Sequence, residues 1–276
     1  MNFGIKMTIK RKIKTLIKEW LINNGRFFGQ SSMQADLDSF FQKIRPISSN
    51  HQLIRAGDSS DGGYLIPNDL DDIDFCFSPG VSTEASFENF LTKKNIPCFL
   101  ADYSVEAPPF TNKLFDFEKK YLGSSDSEIF ITLDSWISRK APTLKNGILQ
   151  MDIEGHEYSI LFSTSSNTLK KFKIIVIEFH DLDYLFDKFG FNLINLCFDK
   201  LMKDFEIVHI HPNNYLTPIN FNNYSIPPLM EFTFLRKDRI KEKFPAKSFP
   251  HELDRPNVPN QSDVHLPSCW YANKNE

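Results

Sequence analysis

The sequence predicts an α/β fold in which a parallel sheet carries helices on both faces. Three observations predict it. From residue 73 onward, short apolar runs alternate with helical stretches. Those runs are rich in Ile, Val, Phe and Leu and barely alternate with polar residues, as strands buried on both faces do. At 276 residues the chain is long enough for one large α/β domain or two small ones, with a core that needs no disulfide or metal staple.

The elements follow in order. Residues 5–22 read as an amphipathic helix. Ile9, Ile13, Leu16, Ile17, Trp20 and Leu21 recur at spacings of three and four on one face, and Lys10, Arg11, Lys12, Lys14 and Lys18 cover the other. Residues 1–30 carry seven Lys or Arg and one Glu, net +6, whereas residues 31–276 carry 25 basic and 34 acidic side chains, net -9. Such a helix can lie on an anionic membrane surface, pack on the domain, or join subunits into a homo-oligomer. The acidic body is a poor match for polyanions, so no nucleic-acid partner is expected.

Strands are expected at 73–77, 98–101, 128–132, 147–152, 174–179 and 205–210, with helices near 84–94, 110–121, 156–163 and 191–203. The run 230–236 follows a Pro/Asn-rich stretch and reads as a late added strand. Residues 241–276 hold Pro245, Pro250, Pro256, Pro259 and Pro267 and read as an irregular tail packed on the domain. The expected division is therefore 1–30, 31–240 and 241–276. Apolar runs never exceed four residues, so no membrane-spanning helix is expected. The basic N-terminus lacks a signal peptide's apolar stretch and cleavage site. Cys76, Cys98, Cys197 and Cys269 form no C-x-x-C pair. A reducing cytoplasm is the expected setting, with the basic helix able to bring the chain to the inner face of the membrane.

Ligands of open α/β sheets sit at the carboxyl ends of the strands, so the residues that follow the strands are the candidates. After the first strand come Ser78, Pro79 and Gly80, where a glycine lets backbone approach a ligand and the next helix offers amides. The loop is not G-x-G-x-x-G, so a dinucleotide site is not expected. Asp102 and Tyr103 follow the second strand, and an acid there can accept bonds from both ribose hydroxyls. Taken singly, these are also a tight turn and a helix cap. The densest group is Gln150-Met151-Asp152-Ile153-Glu154-Gly155-His156-Glu157. Alternation would put Asp152 and Glu154 on one side if the strand continued that far. The next strand ends in Glu178 and His180, and the one after in His209, His211, Asn213 and Asn214. A histidine here is a base or a structural residue. The spacing fits no closed zinc motif, so no metal is expected, and a divalent cation held by Asp152, Glu154 and a histidine is the minor reading.

These residues resemble a known family. The strand end LQMDIEGHEYSIL is similar to the K-x-D-[IV]-E-G-x-E signature of FkbM-type S-adenosylmethionine-dependent methyltransferases. GDSSDGGYLIP, FCFSPGVSTEASFE, FLADYS, ITLDSWI, IVIEFHDLD, HIHPNN and EFTFLRK resemble other segments of that family in the same order, over roughly residues 50–265. Gln150 stands where Lys is common, and the cofactor loop carries one glycine. The resemblance implies a class I methyltransferase (Rossmann-like) fold: a doubly wound, mostly parallel seven-stranded sheet with an antiparallel late strand at 230–236. It implies S-adenosylmethionine as cofactor and a sugar or glycan-type hydroxyl as acceptor. His180, Asp152 and Glu154 would be catalytic. Asp61, Gly62, Gly63, Tyr64, Ser78, Pro79, Gly80, Asp102, Tyr103, Asp126 and Asp152 would hold the cofactor. His156, Glu178, His209, His211, Asn213 and Asn214 would meet the acceptor. Two other functions remain at this point: a nucleotide-sugar-dependent glycosyltransferase and a non-catalytic ligand-binding member.

Overall fold

The computed structural model describes residues 2–25, 29–246 and 248–272, and for residues 2–12 the backbone alone. Its helices are α1 (Asn2–Asn23), α2 (Gln34–Lys43), α3 (Ser86–Thr92), α4 (Leu133–Lys140), α5 (Glu157–Ser163), α6 (Ser166–Leu169) and α7 (Lys188–Asp204). Its strands are β1 (Ile47–Ser49), β2 (Leu53–Ala56), β3 (Tyr64–Pro67), β4 (Phe75–Pro79), β5 (Cys98–Ala101), β6 (Phe115–Glu118), β7 (Tyr121–Leu122) and β8 (Phe130–Ile131). They continue with β9 (Gly147–Met151), β10 (Phe172–Phe179), β11 (Phe205–Pro212), β12 (Ile219–Phe221), β13 (Tyr224–Ile226), β14 (Met230–Arg236) and β15 (Lys243–Pro245).

Seven strands form the central sheet in the order β11-β14-β10-β9-β4-β5-β6. The pairs β10–β9, β9–β4, β4–β5 and β5–β6 are parallel, and β14 runs antiparallel between β10 and β11. The late antiparallel strand is thus where the resemblance puts it. Strands β4, β9 and β10 are buried along their whole length, which is why their sequences lack alternation. The chain leaves β4 toward β5 on one side and later returns on the other side as β9. The carboxyl ends of β4 and β9 are therefore the switch point of the sheet.

Helices pack on both faces by the usual apolar stripes. Helix α4 buries Leu133, Trp136 and Ile137, its N-cap Thr132 accepts from the Ser135 amide at 3.2 Å, and Trp136 meets Phe77 edge-on at 4.6 Å. That contact adds about 0.5–1.5 kcal/mol beyond its buried area. Helix α7 starts at Asp187, which accepts from the amides of Phe189 and Gly190, and buries Phe191, Ile194, Cys197, Phe198 and Leu201.

Two expectations need correction. Residues 110–121 are not a helix: Pro108 and Pro109 precede them, and Phe115–Glu118 alternates with period two to form the edge strand β6. Residues 128–132 are not a strand of the main sheet. Only β8 forms there, and it pairs with β7 outside it. Helices α2 and α4 were not anticipated. The tail is mostly irregular, as expected, yet firmly seated: Trp270 is fully buried, and β15 pairs with β1. Among the described residues no helix is long and apolar enough to cross a membrane.

Candidate active site

A cleft of about 580 Å³ opens at the carboxyl ends of β4, β5 and β9. Its floor is the loop Gly80–Glu84. One end is framed by Asp102, Ser104, Tyr121, Leu122 and Phe130, the other by Asp152, Ile153, Glu154 and His156, with Asp61, Gly62 and Tyr64 above. Of the residues singled out in the sequence, Asp61, Gly62, Tyr64, Gly80, Asp102, Asp152, Glu154 and His156 come together here. Ser104, Tyr121, Leu122 and Phe130 were missed: Tyr121 and Phe130 lie in the stretches expected as helix and main-sheet strand, Leu122 follows directly on the first of these, and Ser104 sits in the irregular loop after β5.

Gly80 is what lets the cleft form. Its φ is +89°, and a Cβ there would stand 1.8 Å from the carbonyl oxygen of Asp152. No L side chain fits that conformation or that gap. Asp102 fixes the loop from the neighbouring strand: its carboxylate accepts from the Ser82 amide at 2.8 Å and from the Ser104 amide and hydroxyl at 2.7 Å. The segment holding Asp61 and Gly62 folds back over this loop. The Ser86 hydroxyl donates to the Gly62 carbonyl at 3.2 Å and accepts from the Asp58 amide at 3.0 Å.

Behind the floor runs a buried chain of side chains. The Ser78 hydroxyl contacts Glu88 and lies 2.7 Å from Gln150 Oε1, while Gln150 Nε2 donates to the Tyr64 hydroxyl at 3.2 Å. A hydroxyl has one proton, so Ser78 cannot donate both ways. Burial pushes the Glu88 carboxyl up to about 7 against the pull of Ser78. In its protonated form Glu88 can donate to Ser78, which frees the Ser78 proton for Gln150. Gln150, which stands where Lys is common in the resembled family, is the link between this chain and the cleft wall at Tyr64.

The signature strand stops at Met151, so alternation does not carry on to Glu154. Instead Glu154 adopts a left-handed conformation, φ 55°, and Gly155 follows at φ 91°. The turn brings Asp152 and Glu154 to His180 all the same. The His180 Nε2 lies 3.3 Å from Glu154 and 3.9 Å from Asp152, and its Nδ1 lies 3.2 Å from the fully buried Glu157. Burial alone would lower the imidazole, but Glu157, Asp152 and Glu154 outweigh it and hold it up at about 9. Burial lifts the Asp152 carboxyl to about 7, with His180 pulling it down and Glu154, Asp61 and Glu157 pushing it up. Potential ligand atoms of Asp152, Glu154 and His180 lie within 4.8 Å of one another, a set of the kind that holds a cation. The sequence offers the same residues as a minor cation reading, although their spacing matches no metal motif.

The other candidates sit elsewhere. Asp126 is a capping residue: it accepts from the Thr132 amide at 2.7 Å and from the Ser135 hydroxyl at 2.5 Å at the start of α4. Tyr103 points outward against Tyr121 and Lys119. Ser78 and Pro79 are buried below the cleft, and Gly63 packs on the Asp58 carbonyl. Glu178 is buried behind Tyr64 and accepts from Asn213 at 2.7 Å. His209 and His211 face Asp254 of the tail, at 2.8 and 3.6 Å, and Asn214 bonds the tail at Val258. These three were legible as strand-end residues, but their partner lies some forty residues downstream.

Residues 130–208 match a family model described as the Methyltransferase FkbM domain. No curated protein sequence matches the chain. Among solved structures, one described as an rRNA methylase from Streptococcus thermophilus aligns with 7% identity and a TM-score of 0.29, over 72% of this chain and 93% of that one. The matched segment, under a third of the chain, holds Asp152, Glu154, His156, Glu178 and His180 on a mostly parallel Rossmann-like sheet, and over that stretch the chain is similar to the FkbM methyltransferase domain.

Proposed function

We propose that the protein is an O-methyltransferase that uses S-adenosylmethionine and methylates a hydroxyl of a sugar or glycan-type small molecule. The observation that carries the reading is the placement of Asp152. Its carboxyl, held at about 7, borders the same cleft as the Gly80 loop and stands one strand away from it. When bound, the cofactor supplies a methyl carbon activated by the adjacent sulfonium.

The residues suit that group. Asp102 accepts two amide bonds and one from the Ser104 hydroxyl, and a swing of that hydroxyl would leave it two acceptor sites for a ribose diol. Tyr121, Leu122 and Phe130 make an apolar slot for a flat base. Asp61, Gly62 and Tyr64 cover the chain between. A sugar hydroxyl needs a proton acceptor poised near the working pH. His180 was the expected base, but an imidazole held near 9 is already protonated at neutral pH. Asp152 is the better acceptor, and protonated His180 orients it from 3.9 Å. Glu154 reaches the same imidazole from the exposed side. A nucleotide-sugar donor is disfavoured, since no Lys or Arg among the described residues lines the cleft to meet a pyrophosphate.

The experiment is turnover, read as S-adenosylhomocysteine released. Asp152→Asn should lose about 10²–10⁴ in turnover while keeping cofactor affinity. Full activity in Asp152→Asn would remove it as the base.

A further inference from the structure

Helix α1 buries none of its described side chains. From Ile13 to Trp20 every residue is exposed, and Leu21 is half-buried. Ile13, Leu16, Ile17 and Trp20 nonetheless recur at the spacing that covers one helix face, and that face lies in water. The rest of the helix is basic. Lys10, Arg11, Lys12, Lys14 and Lys18 surround the apolar stripe in the sequence, and Glu19 is the single acid between residues 1 and 30. Pairing two such helices would bring +6 against +6, which works against a second copy of α1 as the cover. An apolar stripe with a tryptophan, set in a cationic helix, suits the boundary between anionic headgroups and acyl chains. The apolar residues enter the boundary, and the lysine stems reach back to the phosphates.

The tether of α1 decides which part of the protein meets that surface. Six residue steps separate Asn23 from Gly29, a span of at most about 20 Å. Gly29 packs on the Asp187 carboxylate, and Ser31 bridges Asp187. The Ser32 hydroxyl donates to the Leu185 carbonyl at 2.6 Å, and the Lys188 amide donates to the Gln30 carbonyl at 2.7 Å. The chain is thus pinned to the corner where the short 3₁₀ helix Leu182–Phe186 runs into α7. That corner begins two residues past His180, at the carboxyl end of β10, the end of the sheet at which the cleft opens. Its large aromatic side chains Tyr184 and Phe189 are exposed, the second by 73%.

We propose that α1 is an interfacial anchor: it lies along the surface of an anionic phospholipid bilayer and holds the corner of Tyr184 and Phe189, and with it the His180 side of the cleft, toward the lipid. The acidic body, net -9 over residues 31–276, is repelled by the same surface, so contact is confined to the helix and this corner. Lipid binding and fluorescence read this docking out independently of methyl transfer.

The test mixes the full chain with vesicles of phosphatidylcholine alone and of phosphatidylcholine with phosphatidylglycerol. Binding to the anionic vesicles should be at least ~10-fold tighter and should weaken with added salt. Leu16→Glu should lose at least ~10-fold, and so should Lys10→Gln, Arg11→Gln, Lys12→Gln and Lys14→Gln combined. Trp136 and Trp270 are fully buried and Trp20 is 64% exposed, so Trp20 reports the contact. Its emission should shift to shorter wavelength on the anionic vesicles and be quenched by lipids brominated on the acyl chain. Trp20→Phe should lose both signals while still binding. Phe189→Glu should weaken binding by at least ~3-fold. Phe244→Glu should not, although Phe244 is 61% exposed, because it sits at the other end of the sheet, where Lys243 pairs with Glu206 of β11. No binding, equal affinity for the two vesicle types, an unshifted Trp20, or equal affinity in Phe189→Glu and Phe244→Glu overturns the proposal. So does a soluble dimer that Leu16→Glu dissociates while the full chain ignores lipid, which would make a second copy the cover of this face.

Discussion

Gly80 and Asp152 touch backbone to backbone: a Cβ on Gly80 would lie 1.8 Å from the Asp152 carbonyl oxygen. Two strand ends, one carrying the floor loop of the cleft and one carrying its acid, meet with no side chain between them. Gly80→Ala must therefore move one of them and also hold alanine at φ +89°. Strain of this kind costs on the order of 1–3 kcal/mol. The expected result is a folded protein with a lower melting temperature and at least ~10-fold weaker S-adenosylhomocysteine binding. A Gly80→Ala variant with unchanged affinity would show that the loop is not the cofactor floor.

Stability should fall as pH rises from about 5 to 9. Asp152 and Glu88 are lifted from ordinary values of 3.8 and 4.5 to about 7, so the folded state binds protons more tightly than the unfolded one. Their contribution is present below those ordinary values and lost as pH rises toward 7. His180, lifted from 6.5 to about 9, contributes below 6.5 and loses that as pH rises through 9. Thermal melts of the ligand-free protein across this range should show the decline, and Glu88→Gln should flatten its lower part. A melting temperature that rises from pH 6 to 8 would contradict the assignment.

Turnover should follow the same groups in the opposite sense at the acid end. With Asp152 as base, activity climbs through about 7 and falls as His180 loses its proton near 9. His180→Ala should remove the alkaline limb while leaving cofactor affinity intact. A pH–rate profile in which the alkaline limb survives His180→Ala would separate that limb from the imidazole.

Helix α1 shows an uncovered apolar face: Ile13, Leu16, Ile17 and Trp20 are all more than half exposed. Removing residues 1–28 should leave turnover and cofactor affinity within about twofold, because among the described residues none before Asp61 lines the cleft. What should change is binding to anionic liposomes or the oligomeric state, read by co-sedimentation and by light scattering. A soluble truncation without activity would tie the helix to the site.

The sequence made the centre of the sheet plain and its edges obscure. Strands β4, β9 and β10 are buried on both faces and read as apolar runs, and β14 stands out after its Pro/Asn stretch. β6 is an edge strand whose four alternating residues are too few to stand out from a helical pattern over 110–121. The site divides the same way. Gly80, Asp102, Asp152 and His156 are found by following the ends of buried strands. Tyr121 and Phe130 come from two-residue strands that leave no periodic trace. His209 and His211 were placed correctly at a strand end, but Asp254 of the irregular tail claims them, and no local pattern foretells so distant a partner. The proton balance at Asp152 and His180 depends on burial and on Glu157, which only the folded chain reveals.

The central claim is that the cleft above β4, β5 and β9 binds S-adenosylmethionine, with Asp102 on the ribose. Calorimetric titration of S-adenosylhomocysteine into the full chain and into Asp102→Ala tests it most directly. Asp102 holds both the floor loop and its own turn through bonds of 2.7–2.8 Å. Its loss removes charge-assisted bonds each worth more than ~1 kcal/mol. The account predicts one binding site per chain in the wild type and at least ~10-fold weaker binding in the variant. No binding heat in the wild type, or equal affinity in the two proteins, would contradict it.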